Sequence, residues 1–464
     1  MNRITIEEIV KAVNGSLLQQ GSESYIDGVK QDSRECEAGD LFVAIKGDNL
    51  DGHTYIPQAL ENGCRTLLIS DESRMPEENT YGGINVIKVN DTVYALGELA
   101  GYYLGTLNVK KVAVTGSVGK TSVRDMIYYV LSEKYNCGRN MKNYNNLIGL
   151  PLSIFCFDSS TEAVVLEMGM DRTGEIDRLA EIVKPHIGVI TNIGMAHIEN
   201  LGSRHGIFRA KMEIAKHIKG EDGKRGTLIY AADDEFLTRE TTVGPYNQIS
   251  VGKDGKSDYI ISSIDDFGIE GIQFSLEHNE EIRKIKVPVP GMHNAVNSSL
   301  AVAVGNILGV TAEAAEKGLA KVELTGSRLK IVSGKSVRII DDTYNASPDS
   351  MKSALKVLAG SRNSGRKTAI LGDMYELGAE SSRQHFGVGV FAGNLDIDTL
   401  IAVGEAAKHI AEGASGGSLK TLYYKSKDDL INDMDQFVGS GDLILVKGSR
   451  GMRMEQIVES ILKY

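Results

Sequence analysis

Cysteine is scarce in this chain. Four occur among 464 residues, at Cys36, Cys64, Cys137 and Cys156. They lie too far apart for a zinc cluster or a C-x-x-C pair, and this scarcity predicts a reducing compartment, the cytoplasm. No apolar run approaches the roughly 20 residues needed to cross a bilayer, so no membrane span is expected. The first residues, MNRITIEEIVKAVNG, mix charges in a helical pattern and do not read as a secretory signal. Basic residues are not in excess: 51 Lys and Arg against 62 Asp and Glu leave a net charge of -11. That balance argues against nucleic acid as a partner, although a local basic pocket could still hold an anion. Low-complexity tracts are missing too. A hydrophobic content of 42% is that of a globular protein, and the length suggests about three domains.

The most informative segment is Val112-Ala113-Val114-Thr115-Gly116-Ser117-Val118-Gly119-Lys120-Thr121. An apolar strand enters a glycine-containing turn, and Lys-Thr opens a helix predicted over Ser122 to Ser132. Glycines let backbone N–H groups crowd around an anion, and the helix N-terminus adds its positive end. Lys120 can reach the terminal phosphates of a nucleotide, and the Thr121 hydroxyl can ligate Mg²⁺. The general phosphate-loop pattern wants a further glycine where Val114 stands, so this is a shortened G-x-x-G-K-T form.

The rhythm along the chain predicts an α/β protein of three domains. Residues 1–108 mix short strands and helices in a small α/β unit. Residues 109–326 alternate strands and helices around the phosphate loop, with strands expected at Ala163–Glu167, Gly188–Ile193 and Thr227–Ala231 and mostly parallel pairing. From 327 to 464 the rhythm restarts as a Rossmann-like parallel unit. It lacks G-x-G-x-x-G after its first strand and so carries no dinucleotide fingerprint. Two open sheets, one bearing a phosphate loop, suggest a reaction cleft between them.

Polar residues at strand tips are the candidates for chemistry. Glu167 ends an apolar strand, where a Mg²⁺ ligand is expected beside a phosphate loop; it could equally be a solvated strand-end acid. His197 follows the next strand, and two such groups at neighbouring tips favour metal binding. Lys211 falls on a helix predicted from His205 to His217, where spacing alone reads it as a solvated lysine. Asn294 and Asn297 suit a nucleobase or sugar edge but are also ordinary helix-start residues. Arg328 is either a cation reaching a γ-phosphate from the third domain or a surface arginine at a hinge. Asp341 to Pro348, Gly372 to Gly378 and Lys447 to Gly451 form three polar loops after strands of one sheet, a substrate platform.

These motifs together resemble the Mur ligases, ATP-dependent amide-bond ligases of peptidoglycan precursor synthesis. The resemblance spans nearly the whole chain. It is carried by Asp32-Ser33-Arg34 with Gly39 to Ala44, by Thr115 to Thr121, and by Asn143-Tyr144-Asn145-Asn146-Leu147-Ile148-Gly149. Further carriers are Glu167-Met168-Gly169, Thr191 to His197, Arg209-Ala210-Lys211, His293-Asn294 with Asn297, and Arg328. Within the family, Asp341 to Pro348, Gly372 to Gly378 and Val446 to Arg450 are similar to the member that adds D-alanyl-D-alanine to UDP-N-acetylmuramoyl-tripeptide. The Asp-Asn-Pro-Arg signature of the diaminopimelate-adding member is absent. Ser298 and Ser299 stand where the family usually has alanines.

The resemblance implies residue roles. Gly116, Ser117, Val118, Gly119 and Lys120 would hold ATP phosphates, and Thr121 and Glu167 one Mg²⁺. His197 would help hold a second Mg²⁺ with Lys211, whose amine would be carbamylated. Asn297 would approach the adenine, Asp342 the ribose and Arg328 the γ-phosphate. Ser33, Arg34, Asn145, Asn146, Tyr344, Asn345 and Lys447 would contact the substrates. All partners are then small molecules, and a monomer is expected. Two other readings stand beside this one: a folylpolyglutamate synthetase-like ligase with the same acyl-phosphate chemistry, and a nucleotide-dependent switch or binding protein.

Overall fold

The computed structural model describes all residues except 48, 76–82, 142, 221–222 and 464. It is built on three larger sheets. The first has the strand order Ser16–Gln19, Asn85–Lys88, Thr66–Ile69, Asp40–Val43, Gly28–Lys30, with only the Ser16–Gln19 edge antiparallel. Asp40–Val43 and Thr66–Ile69 are buried along their whole length, as expected of parallel strands covered on both faces. The helix Thr92–Thr106 closes this region, with Asp91 accepting hydrogen bonds from the Val93 and Tyr94 amides at its start.

The second sheet has nine strands. Six neighbouring pairings are parallel, running through Cys137–Arg139, Ala163–Glu167, Lys110–Thr115, Ile187–Ile190, Thr227–Ala231, Asn247–Gly252 and Tyr259–Asp266. Lys110–Thr115, which feeds the phosphate loop, lies between Ala163–Glu167 and Ile187–Ile190. The three candidate tips are thereby brought side by side. The antiparallel strands Ile272–His278 and Glu281–Val287 then extend the sheet beyond Tyr259–Asp266. The helix Lys120–Ser132 packs its apolar residues Val123, Met126, Ile127 and Val130 into the same core as Leu300, Ala301 and Val304 of the helix His293–Ile307. Ser298 and Ser299 are buried on that second helix. Their hydroxyls bond to Met126 Sδ (3.5 Å) and to the Ala295 carbonyl (2.7 Å), so both are accommodated in the packing.

The third sheet has the order Lys330–Ser333, Arg338–Asp342, Leu443–Lys447, Lys367–Gly372, Thr399–Val403, Lys420–Tyr424. Five of its six strands pair in parallel, as expected of this unit. The expectation of a purely parallel unit from 327 onward is corrected, because the edge strand Lys330–Ser333 precedes Arg338–Asp342 and pairs antiparallel to it. Likewise, the strand expected over Gly188–Ile193 ends at Ile190, because Thr191 and Asn192 turn their side chains to the phosphate loop. Among the described residues, no helix is long and apolar enough to cross a membrane.

Candidate active site

The phosphate-loop motif forms a tight loop between Lys110–Thr115 and Lys120–Ser132. Gly116 has φ +150° and Gly119 φ +86°. A Cβ on Gly116 would lie 1.8 Å from Thr191 Oγ1, so glycine is required for this close approach. Asn192 braces the loop: its Oδ1 accepts from the Val118 amide (2.9 Å) and its Nδ2 donates to the Val118 carbonyl (2.8 Å). Thr191 Oγ1 donates to that same carbonyl at 2.6 Å. The helix starting at Lys120 has no side-chain cap, which leaves its first amides to an anion. Lys120 folds back over the loop and donates to the carbonyls of Gly116 (2.8 Å) and Ser117 (3.3 Å).

Glu167 is 2% exposed, yet its carboxylate is well partnered. Thr121 Oγ1 donates to Oε2 at 2.7 Å, Asn145 Nδ2 donates to Oε1 at 2.8 Å, and Arg124 Nη1 stands 3.5 Å from Oε2. The Asn140 side chain accepts from the Glu167 amide at 3.0 Å and donates to the Glu167 carbonyl at 3.0 Å, holding the strand end in place. A hydroxyl and a carboxylate oxygen, donors of the kind a hard cation takes, therefore meet beside the phosphate loop.

His197 adopts φ +63° just past its strand. Its Nδ1 lies 2.9 Å from Glu376 Oε2 and 3.2 Å from Asp171 Oδ1, without an aligned hydrogen bond to either. One ligand atom from each of these three residues lies within 4.8 Å of the others, a grouping compatible with a divalent cation. Asp171 gave no signal in the sequence. Glu376 lies within the polar loop Gly372 to Gly378 but carries no role in the sequence alone, because only the fold brings the third sheet to His197.

The expectation for Lys211 is corrected in two respects. The α-helix runs Arg204–Met212 and tightens into a 3-10 turn over Glu213–His217, and Lys211 is 1% exposed rather than solvated. Burial, and then the nearby Lys120 charge, push its amine well below the usual lysine value. It does not line the cavity that Lys120 lines.

That cavity, of about 770 Å³, lies between the second and third sheets. Ser117 to Thr121, Asn145, Glu167, Asp171, His197 and Asn297 line it from the central part, and Arg328, Asp342, Tyr344, Asn345 and Lys447 from the C-terminal part. Asn297 is buried against the loop. Its Nδ2 donates to Asn294 Oδ1 at 2.8 Å, and its Oδ1 would be 3.3 Å from a Cβ on Gly119. Arg328 lies over the Tyr344 ring, 3.6 Å from its centroid, and donates to the Thr325 carbonyl at 2.8 Å. Asp342 Oδ2 accepts from Lys447 Nζ at 2.7 Å, and Lys447 also donates to the Asn345 carbonyl at 2.7 Å. Burial pushes the Asp342 carboxyl above its ordinary range, and the Lys447 ammonium opposes that shift. Lys447 closes its strand rather than sitting in the following turn.

Three expected contact residues lie elsewhere. Ser33 is buried in the first region with its hydroxyl on Gln58 Oε1 (2.7 Å), and Arg34 is exposed and paired with Asp32 (2.6 Å). Asn146 Oδ1 accepts from the Gly149 amide at 2.8 Å and so orders the start of the helix Gly149–Ile154.

Three family models match in succession: "Mur ligase family, catalytic domain" over residues 25–103, "Mur ligase middle domain" over 114–305, and "Mur ligase, glutamate ligase domain" over 327–450. A Bacillus subtilis (strain 168) protein named UDP-N-acetylmuramoyl-tripeptide–D-alanyl-D-alanine ligase is 38% identical, with 100% of this chain and 99% of that one covered. A crystal structure of MurF from Acinetobacter baumannii superposes with a TM-score of 0.90 at 31% identity, over 100% of both chains. The MurF ligase of Thermotoga maritima in complex with ADP gives a TM-score of 0.82 at 30% identity, over 94% of this chain and 97% of that one.

Proposed function

The chain belongs to the Mur ligase family, and from that premise we propose that it adds D-alanyl-D-alanine to UDP-N-acetylmuramoyl-tripeptide, using ATP, in peptidoglycan precursor synthesis. The observation that carries this reading is likeness over the full length to ligases of that specificity. The cavity agrees with it, since a phosphate loop faces the polar strand tips of a second sheet across one space. In this reading residues 1–108 bind the UDP end, 109–326 bind ATP, and 327–464 bind the amine substrate. The chain works in the cytoplasm as a monomer, with small molecules as its partners.

The site residues then divide the work. Gly116 to Gly119 and the first helix amides receive the phosphates, and Lys120 exchanges its loop carbonyls for phosphate oxygens. Thr121 and Glu167 would hold one Mg²⁺, and His197 a second, with Asp171 and Glu376 nearby. When bound, the metal offsets the negative charge that opposes attack of a carboxylate on a polyphosphate. Burial favours a neutral Lys211 amine, the form that can add CO₂ as a carbamate and turn toward the second metal. Asn297 approaches the adenine, Asp342 the ribose, and Arg328 the γ-phosphate.

Ser33 and Arg34 contact the UDP end, Asn145 the peptide, with Asn146 ordering the adjoining helix start, and Tyr344, Asn345 and Lys447 the incoming dipeptide. The terminal carboxylate of the tripeptide attacks the γ-phosphorus, giving an acyl phosphate and ADP. The dipeptide amine then attacks the acyl carbon, loses a proton, and phosphate departs. An acyl phosphate hydrolyses in open water, so its place between two sheets protects it.

ADP release measured with combinations of substrates tests the reading. Release should require UDP-N-acetylmuramoyl-tripeptide and D-alanyl-D-alanine together. Release with glutamate and a folate instead would identify a folylpolyglutamate synthetase-like ligase. Slow release indifferent to any amine would identify a nucleotide switch.

A further inference from the structure

Immediately after the phosphate-binding segment, the helix Lys120–Ser132 carries two charged side chains that point into the protein. Arg124 and Asp125 are both fully buried. Asp125 Oδ1 accepts from Arg124 Nε (2.9 Å), Arg124 Nη2 (2.6 Å) and Arg139 Nη1 (2.9 Å). Its other oxygen accepts from the backbone amide of Thr325 at 2.7 Å, 200 residues along the chain. Thr325 opens the connection into the third sheet. Its carbonyl accepts from Arg328 Nη1 at 2.8 Å.

The same connection is tied down on its far side. The Leu329 amide donates to Asp342 Oδ1 at 3.2 Å, and the Tyr344 amide donates to the Ser327 carbonyl at 3.1 Å. Gly326 at φ +80° and Leu329 at φ +48° give this short stretch its turns. A buried ion pair is weak evidence for stability, since apolar residues can do as well. A chain of directional contacts can do something apolar packing cannot: hold one backbone amide at one point.

We propose that Asp125 is a positioning residue: its buried carboxylate fixes the interdomain connection, and through Thr325 the Arg328 guanidinium, to the helix that begins at the phosphate loop. Nucleotide on the loop and the arginine from the connection are then registered by one helix rather than by independent closure of the two parts. This rests on the reading of Arg328 as the γ-phosphate contact.

A double-mutant cycle on kcat tests it, in the full chain, with Asp125→Asn and Arg328→Ala alone and together. Asp125→Asn should lower kcat about tenfold or more while changing the KM for ATP by less than about threefold. In the Arg328→Ala background, it should lower kcat by less than about twofold, because the group it positions is gone. Equal losses in both backgrounds would overturn the proposal, as would unchanged kcat in Asp125→Asn with Arg328 present. Wild-type turnover by Arg328→Ala would instead remove Arg328 from the reaction, and with it the route through which Asp125 acts.

Should Asp125→Asn fail to fold, Thr325→Pro deletes the N–H donor while leaving the buried ion cluster whole. It is expected to give the same loss and the same dependence on Arg328. A Thr325→Pro chain of normal melting temperature and normal kcat overturns the proposal.

Discussion

Lys211 lies buried close enough to Lys120 to feel its charge, and burial pushes both amines below the usual lysine value. The Lys211 amine sits well below the usual value of 10.5 for burial first and the neighbouring charge second. The unfolded chain therefore holds a proton on Lys211 at pH values where the folded chain does not. Stability rises with pH wherever the unfolded state binds more protons. Between the depressed folded value and 10.5, the unmodified chain should gain stability as pH rises, and below that window it carries the full cost. Urea unfolding of Lys211→Met across this range should show a flatter profile than the parent. Parallel profiles would mean that Lys211 is not desolvated.

The same residue is expected to be indispensable to turnover. Lys211→Ala should be nearly inactive, and a short carboxylic acid in the buffer should restore part of the activity by standing in for the proposed carbamate. Wild-type activity of Lys211→Ala would exclude it from the mechanism.

Lys120→Ala should cost about 10²-fold or more in ADP release, the scale seen when one charge-stabilising contact leaves a phosphoryl-transfer site. Its melting temperature should stay close to that of the parent, because among the described residues its hydrogen bonds go to the loop carbonyls of Gly116 and Ser117. Turnover within a few-fold of the parent would show that the loop does not serve catalysis.

Glu167→Gln should raise the Mg²⁺ concentration needed for half-maximal activity by about 10- to 100-fold. The amide keeps the size of the side chain but not the charge. The measurement is a Mg²⁺ titration at saturating ATP, with chelator abolishing activity in both chains. An unchanged midpoint would take Glu167 off the metal.

Lys447→Met leaves the buried Asp342 carboxylate without its ammonium partner, and breaking such a pair by removing one side costs about 3–5 kcal/mol. Denaturant unfolding should show that loss, and Lys447→Met combined with Asp342→Asn should recover part of it. Equal stability of parent and single variant would mean that the pair is solvated.

Local order made much of this protein readable in its residues. Val112 to Thr121 carries strand, loop and helix within ten positions, and the glycines that shape the loop are themselves the signal. Glu167 was visible because a polar residue ending an apolar strand is conspicuous, and His197 because it lies in the loop after the next strand. The antiparallel strands Ile272–His278 and Glu281–Val287 were not, because apolar residues alternate there with polar or charged ones and form no continuous apolar run like that of their parallel neighbours. Lys211 was misread for a similar reason: helical spacing does not say which face meets a core when that face bears a charge. Asp171 and Glu376 are far apart in sequence and come together at His197 only through the approach of two sheets. Asp125 was hidden by its ordinary place in an amphipathic helix.

The bracing of the phosphate loop by Thr191 and Asn192 has a thermodynamic consequence. Val118 is fastened on both its amide and its carbonyl by a neighbouring strand end, so the curvature of the loop belongs to the protein and not to its ligand. Nucleotide then docks on a cradle already shaped, and little affinity is lost to loop ordering. Calorimetry should find a heat-capacity change on ADP binding no larger than the apolar surface of the nucleotide pocket accounts for, without the excess that accompanies folding of a segment around its guest.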